Sequence, residues 1–174
     1  MKIRFLACLC LAACGFVCAA AAAPAGLSGR WKLNLDRSSA IKPWSAETVV
    51  IHADGDVVTI DRRFVWGMDR RVSDTTSVRA DGRTVLANPV AYWIDSWYNN
   101  AYIGADHLKR VSGEWLEPGR VLKIETRLSL NVQQGEFPIH IYEEYRVSAD
   151  GRTLTLLELR STRDQALTYV FTRE

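Results

Sequence analysis

The stretch Leu27-Ser28-Gly29-Arg30-Trp31-Lys32-Leu33-Asn34-Leu35-Asp36 decides how the rest of the chain is read. Trp31, Leu33 and Leu35 fall on one side and Arg30, Lys32, Asn34 and Asp36 on the other, which is the two-residue period of a strand with one buried face. Gly29 lets the backbone turn tightly into that strand, and Trp31 is large enough to plug the end of a core. At the far end of the chain Leu167, Tyr169, Phe171 and Arg173 alternate in the same way.

Between these two segments the pattern repeats. Residues 47–53 and 57–65 flank Asp54-Gly55-Asp56, a hairpin signal. Residues 70–79 alternate again and turn through Ala80-Asp81-Gly82-Arg83-Thr84 into 85–87. Ala-Asp-Gly-Arg-Thr returns at 149–153, and Ala53-Asp54-Gly55 is a shorter copy. Convergence on good turn chemistry explains these copies, and the turns are expected to make consecutive strands antiparallel neighbours. In the second half, 121–131, 137–147, 154–162 and 167–173 form a meander, with a weaker segment at 107–111. Residues 37–45, with Pro43 and three serines, read as a loop with room for one helical turn. The sum is about nine or ten amphipathic strands and almost no helical period, an all-β antiparallel meander that closes into a barrel or stacks as a sandwich.

Residues 1–25 stand apart from this domain. Met1-Lys2-Ile3-Arg4 is a short basic start, 5–17 are apolar, and 18–25 are small residues ending near Ala-x-Ala sites, the pattern of a secretory signal peptide. The expectation is export to the periplasm or cell envelope, with 26–174 as a single domain. Cys8, Cys10, Cys14 and Cys18 all lie in the leader, so a domain cleaved after it has no disulfide and no thiolate metal site. Leu11-Ala12-Ala13-Cys14-Gly15 also resembles a bacterial lipobox, which would place a lipid anchor on Cys14. The bland alternative is a small apolar residue of the signal.

Removing the leader takes Lys2 and Arg4 from the 22 basic residues and leaves 20 against 20 acidic ones. A neutral domain lacks the basic surplus that nucleic acid requires. The exception to strand regularity is 88–102, which holds five of the chain's twelve Trp and Tyr residues: Tyr92, Trp93, Trp97, Tyr98 and Tyr102. Such a stretch packs its rings on the barrel, or serves as a lid or membrane-touching loop.

No catalytic motif, cofactor fingerprint or metal spacing is present, and His52, His107 and His140 sit on separate segments as expected surface imidazoles. More informative are charges in phase with apolar residues. Arg62 shares a face with Val58, Ile60 and Phe64; Asp74 with Val72, Thr76 and Val78; Glu143 with Phe137, Ile139, Ile141, Tyr145 and Val147. An unpaired charge inside a barrel is costly, so these side chains pair, reach water in a cavity, or mark bulges that put them outside. If they converge, they make a polar floor that orients the head group of an amphipathic ligand. On that reading Arg62 takes an acidic head group, Tyr145 and Tyr169 add hydroxyls, and Tyr92, Trp93 and Trp97 cover the mouth. Arg62→Leu would then weaken binding and leave the fold intact.

Gly29-Arg30-Trp31 opening the first strand and Arg173 closing the last resemble the calycins, the barrel superfamily of lipocalins and fatty-acid-binding proteins. With Leu108-Lys109-Arg110 and Ser148-Ala149-Asp150-Gly151-Arg152-Thr153-Leu154-Thr155, the chain also resembles uncharacterised secreted lipocalin-like proteins of bacteria. The resemblance implies a closed barrel of about 8 to 10 strands, with the basic Arg173 lying over Trp31 at one end. The nine residues 37–45 are too few for the helix pair of a fatty-acid-binding protein, the lipocalin Thr-Asp-Tyr motif is absent, and no C-terminal helix fits after Phe171. Three functions follow: a cell-envelope protein holding a small apolar or amphipathic molecule, a filled barrel that contacts a partner, or an enzyme using Glu143 or Asp74 as acid or base.

Overall fold

The computed structural model describes residues 26–41, 43–94 and 102–174. Within them the chain forms one antiparallel sheet: β1 (Gly29–Leu33), β2 (Ala46–Asp54), β3 (Val57–Trp66), β4 (Arg70–Arg79), β5 (Asp81–Pro89), β6 (Tyr102–Ile103), β7 (Leu108–Glu117), β8 (Val121–Val132), β9 (Gly135–Val147), β10 (Thr153–Arg160) and β11 (Leu167–Arg173). The strand order is β4-β3-β2-β1-β11-β10-β9-β8-β7-β5, with β6 beside β8. β1 pairs both β2 and β11, so the chain's first and last strands lie side by side with Trp31 opposite Arg173. The result is a nearly closed antiparallel barrel whose alternating strands send Val49, Ile51, Val58, Ile60, Leu122, Ile124, Leu154 and Leu156 inward.

Closure fails at one seam. β4 and β5 are consecutive but share no ladder, because β5 pairs with β7 instead. The expected hairpin at 80–84 is therefore corrected. Asp81 accepts from the Arg83 and Thr84 amides (2.9 and 2.8 Å) and from the Thr84 hydroxyl (2.6 Å), folding that turn into a local Asp-capped loop on β5. Those three bonds hold the Asp81 carboxyl down to about 2. Across the seam, the Asn88 side chain accepts from the Ser77 amide (2.7 Å) and donates to the Ser77 carbonyl (2.9 Å), supplying the two bonds of the missing ladder. Gly113 matters here as well, since a Cβ would sit 2.6 Å from Val78 Cγ2 and push β7 off β4. The other two Asp-Gly turns do join paired strands, with Gly55 and Gly151 at φ 58° and 69°.

Several local expectations also shift. The chain leaves the sheet after Leu33, Asn34 accepts from the Arg37 amide (3.2 Å), and a 3₁₀ turn covers Leu35–Arg37, so Leu35 is half exposed rather than buried. Phe137 sits at the rim of β9 and is 59% exposed, although its phase matches the inner face. The weak segment at 107–111 is the start of a ten-residue strand.

The two ends differ. One carries the turns at Gly55, Gly119 and Gly151 together with Trp31, and is solid: Trp31, Phe171 and Leu154 are completely buried. Arg173 lies 4.1 Å over the Trp31 ring and donates to the carbonyls of Gly151, Ser28 and Gly26 at 2.7, 2.9 and 2.7 Å. A side chain at Gly29 would run into that guanidinium. At the other end Val90, Ile103, Leu128, Leu130 and Ile139 form a second apolar cluster.

Candidate functional site

Between the Trp31 end and the second apolar cluster, seven ionisable side chains meet inside the barrel. Arg62 on β3 is the hub. Its Nε donates to Glu47 Oε1 (2.7 Å), its Nη1 donates to Glu143 Oε1 (3.2 Å), and Nη1 stands 3.5 Å from Glu158 Oε2. Glu143 on β9 and Glu158 on β10 lie opposite one another in register, a like-charge placement that only a cation between them makes tolerable. Arg160 Nε is 2.5 Å from Glu158 Oε1, and its guanidinium lies 5.4 Å over the Trp93 ring.

A second pair completes the wall. Lys109 on β7 donates to both Asp74 oxygens at 2.6 Å and to the Thr76 hydroxyl at 2.8 Å. The lysine side chain is 6% exposed, so its charge is held almost wholly by Asp74.

Burial sets the protonation of this cluster. It raises the Glu143 and Glu47 carboxyls above the usual carboxylate range, with the Arg62 charge opposing part of the rise. Burial works against the charge on Arg62, yet Glu47 foremost among its anionic neighbours holds the guanidinium well above its ordinary value. Burial also lifts the Tyr145 and Tyr169 phenols, so Tyr145 stays protonated and donates to Glu143 Oε1 (3.1 Å).

Most of these side chains, though neither Glu47 nor Tyr169, border a cavity of about 60 Å³. Arg62, Asp74, Lys109, Glu143, Glu158 and Arg160 form its polar side, while Val90, Leu128, Ile141, Tyr92, Trp93 and Ile94 supply the apolar side. Trp44 packs against Phe64, Trp66 and Tyr92 at centroid distances of 5.5, 6.5 and 6.1 Å and donates through Nε1 to the Ile94 carbonyl (3.0 Å), forming an aromatic shoulder beside the cavity. A wider and more open hollow of about 550 Å³ lies against the turns of the Trp31 end, lined mostly by glycines, Ala53, Ala80 and Trp115, with Ser28 and Asp56 as its polar side chains.

Of the residues singled out by strand phase, Arg62, Asp74, Glu143 and Tyr145 meet at this cavity, and Tyr92 and Trp93 line it. Tyr169 is buried within electrostatic reach of Glu158 and Arg160 but does not line the cavity. Gly29, Trp31 and Arg173 assemble at the opposite end. Trp97, Tyr98 and Cys14 lie outside the described residues. Arg62, expected to meet an acidic head group, is surrounded by the carboxylates of Glu47, Glu143 and Glu158.

The phase argument missed Glu47, Lys109, Glu158 and Arg160. Glu47 shares a face with Val49 and Ile51, Lys109 with Val111, and Glu158 with Leu154 and Leu156, so the same signal was present in each. His52, His107 and His140 are exposed, and no grouping of metal-ligating side chains occurs among the described residues.

No family model matches the chain, and no curated protein is detectably similar in sequence. Among solved structures, the chain is similar to the fatty-acid-binding protein isolated from Manduca sexta, at 11% identity and a TM-score of 0.45, with 86% of this chain and 99% of that chain covered.

Proposed function

We propose that this protein is a binding barrel that takes the head of a small amphipathic molecule into its interior. The observation that carries the reading is the buried cavity in which one wall is charged and the other apolar and aromatic. Stability alone gives little reason for such a wall, since burying ion pairs is at best near neutral against well-packed apolar side chains. A volume of about 60 Å³ is far below the roughly 300 to 1,000 Å³ that encloses a whole drug-sized ligand. The cavity therefore suits a head group, with the apolar remainder running out past Tyr92, Trp93 and Ile94.

The same small volume favours a second reading, a filled barrel whose charged cluster is structural. Native mass spectrometry of gently purified protein separates the two. A binding barrel shows a non-covalent adduct that is lost on denaturation, or gains one saturably when amphiphiles are added. Bare protein under both conditions supports the filled barrel.

Export belongs to this proposal too. Residues 1–25 would direct a single domain, 26–174, to the periplasm or cell envelope, released by cleavage or anchored through Cys14. Labelling with a radioactive fatty acid in an expressing bacterium tests the anchor, and an unlabelled soluble product rejects it.

A further inference from the structure

We infer that the head group received by this cavity is positively charged, an ammonium or alkylated ammonium, and that the barrel discriminates against carboxylates. The inference rests on the binding reading above and adds the ligand's charge.

Each cation available to an acidic ligand is already engaged. Arg62 is met by Glu47, Glu143 and Glu158 at 2.7, 3.2 and 3.5 Å, Lys109 by both oxygens of Asp74 at 2.6 Å, and Arg160 by Glu158 at 2.5 Å. A ligand carboxylate would have to break one of these buried pairs and leave a buried carboxylate behind, which costs more than the new pair returns. Formal charge points the same way, since Glu47, Asp74, Glu143 and Glu158 outnumber Arg62, Lys109 and Arg160 by one. The extra carboxylate is Glu47, which pairs with Arg62 without itself lining the cavity; its Oε2, on a side chain with no exposed surface, receives no hydrogen bond among the described residues.

The aromatic side of the site is independent of that count and gives the same answer. The electron-rich faces of aromatic rings attract cations. Three rings around the cavity and its mouth already carry a guanidinium: Phe64 under Arg62 at 5.2 Å, Trp66 under Arg70 at 4.7 Å and Trp93 under Arg160 at 5.4 Å. An approaching anion meets ring faces and then a carboxylate surplus. An approaching ammonium meets the half-exposed Tyr92 ring, which lines the cavity, and then the carboxylates.

The test compares decylammonium, decanoate and neutral decanol, each below its aggregation concentration, by isothermal titration against the leaderless chain at pH 7. The expected order is decylammonium at least tenfold tighter than decanoate, with decanol between them. Because the domain carries 20 basic and 20 acidic residues, overall charge favours neither ion. Glu143→Gln should shrink the ammonium preference severalfold while decanol affinity holds, and Asp74→Asn serves where that variant does not fold. Decanoate binding as tightly as decylammonium overturns the inference and leaves the binding barrel standing. Failure of all three to bind overturns both.

Discussion

Two arginines, the half-buried Arg173 and the buried Arg62, divide the barrel into two regions with different physics. Arg173 lies over Trp31 and is satisfied by three backbone carbonyls, so its charge has only neutral partners. Arg62 lies over Phe64 and is satisfied by carboxylates alone. The first arrangement ties turns from distant parts of the chain into a lid and leaves no polar group for a ligand. The second concentrates opposite charges beside a cavity, where small changes in charge are felt strongly. A guanidinium on an aromatic ring is thus no sign of function by itself; what it donates to decides.

The comparison breaks most readily at its two hubs. Arg62→Leu strands three buried carboxylates and is expected to cost about 3 to 5 kcal/mol in urea unfolding, the penalty for removing one partner of a buried ionic group. This reverses the expectation from strand phase, and parent-like stability would mean that the carboxylates tolerate burial without it. Trp31→Ala leaves a hole at the solid end and is expected to cost about 3 to 4 kcal/mol with ligand affinity unchanged. A loss of affinity without a loss of stability would erase the division between the ends. Arg173→Met keeps the packing over Trp31 but removes three charge-assisted bonds to carbonyls, for an expected loss of about 1 to 3 kcal/mol.

The smallest effect is one of pH. Burial raises the folded-state pKa of Glu47 above its ordinary 4.5, so the folded protein binds the extra proton and Glu47 favours folding most below 4.5. That contribution fades as pH climbs through the raised value. Relative to Glu47→Gln, the parent should therefore gain stability as pH falls from neutral toward 4.5. A parent that loses ground to the variant over this window would place the Glu47 carboxyl below its ordinary value.

Strand phase made much of this architecture legible, because alternation reports which side of a sheet a residue faces. It sent Arg62, Asp74 and Glu143 inward, whereas the meeting of Trp31 and Arg173 at one end was legible only through the resemblance of the first and last strands to the calycins. It misplaced Phe137 and Leu35, since phase says nothing about where along a strand the core stops. The β4–β5 seam was illegible for another reason: Asp81 spends its side chain on its own turn, and Asn88 forms bonds that resemble a ladder only in three dimensions. Partner choice inside the cavity was hidden as well. That Lys109 takes Asp74 and leaves Arg62 to the glutamates depends on which strands the barrel brings face to face.

The division between the two ends is tested most directly by the tryptophan indole N–H signals in a ¹⁵N–¹H spectrum during titration with decylammonium or decanol. Trp31 donates to the Leu27 carbonyl (3.1 Å) and Trp115 to the Gly55 carbonyl (3.3 Å) at the solid end. Trp44 donates to the Ile94 carbonyl (3.0 Å) beside the cavity, and the Trp93 N–H, lining it, has no acceptor among the described residues. The predicted result is saturable movement of the Trp93 and Trp44 signals with Trp31 and Trp115 unmoved. Movement of the Trp31 and Trp115 signals to the same extent, or no saturable movement of any, would contradict a barrel closed at one end and receptive at the other.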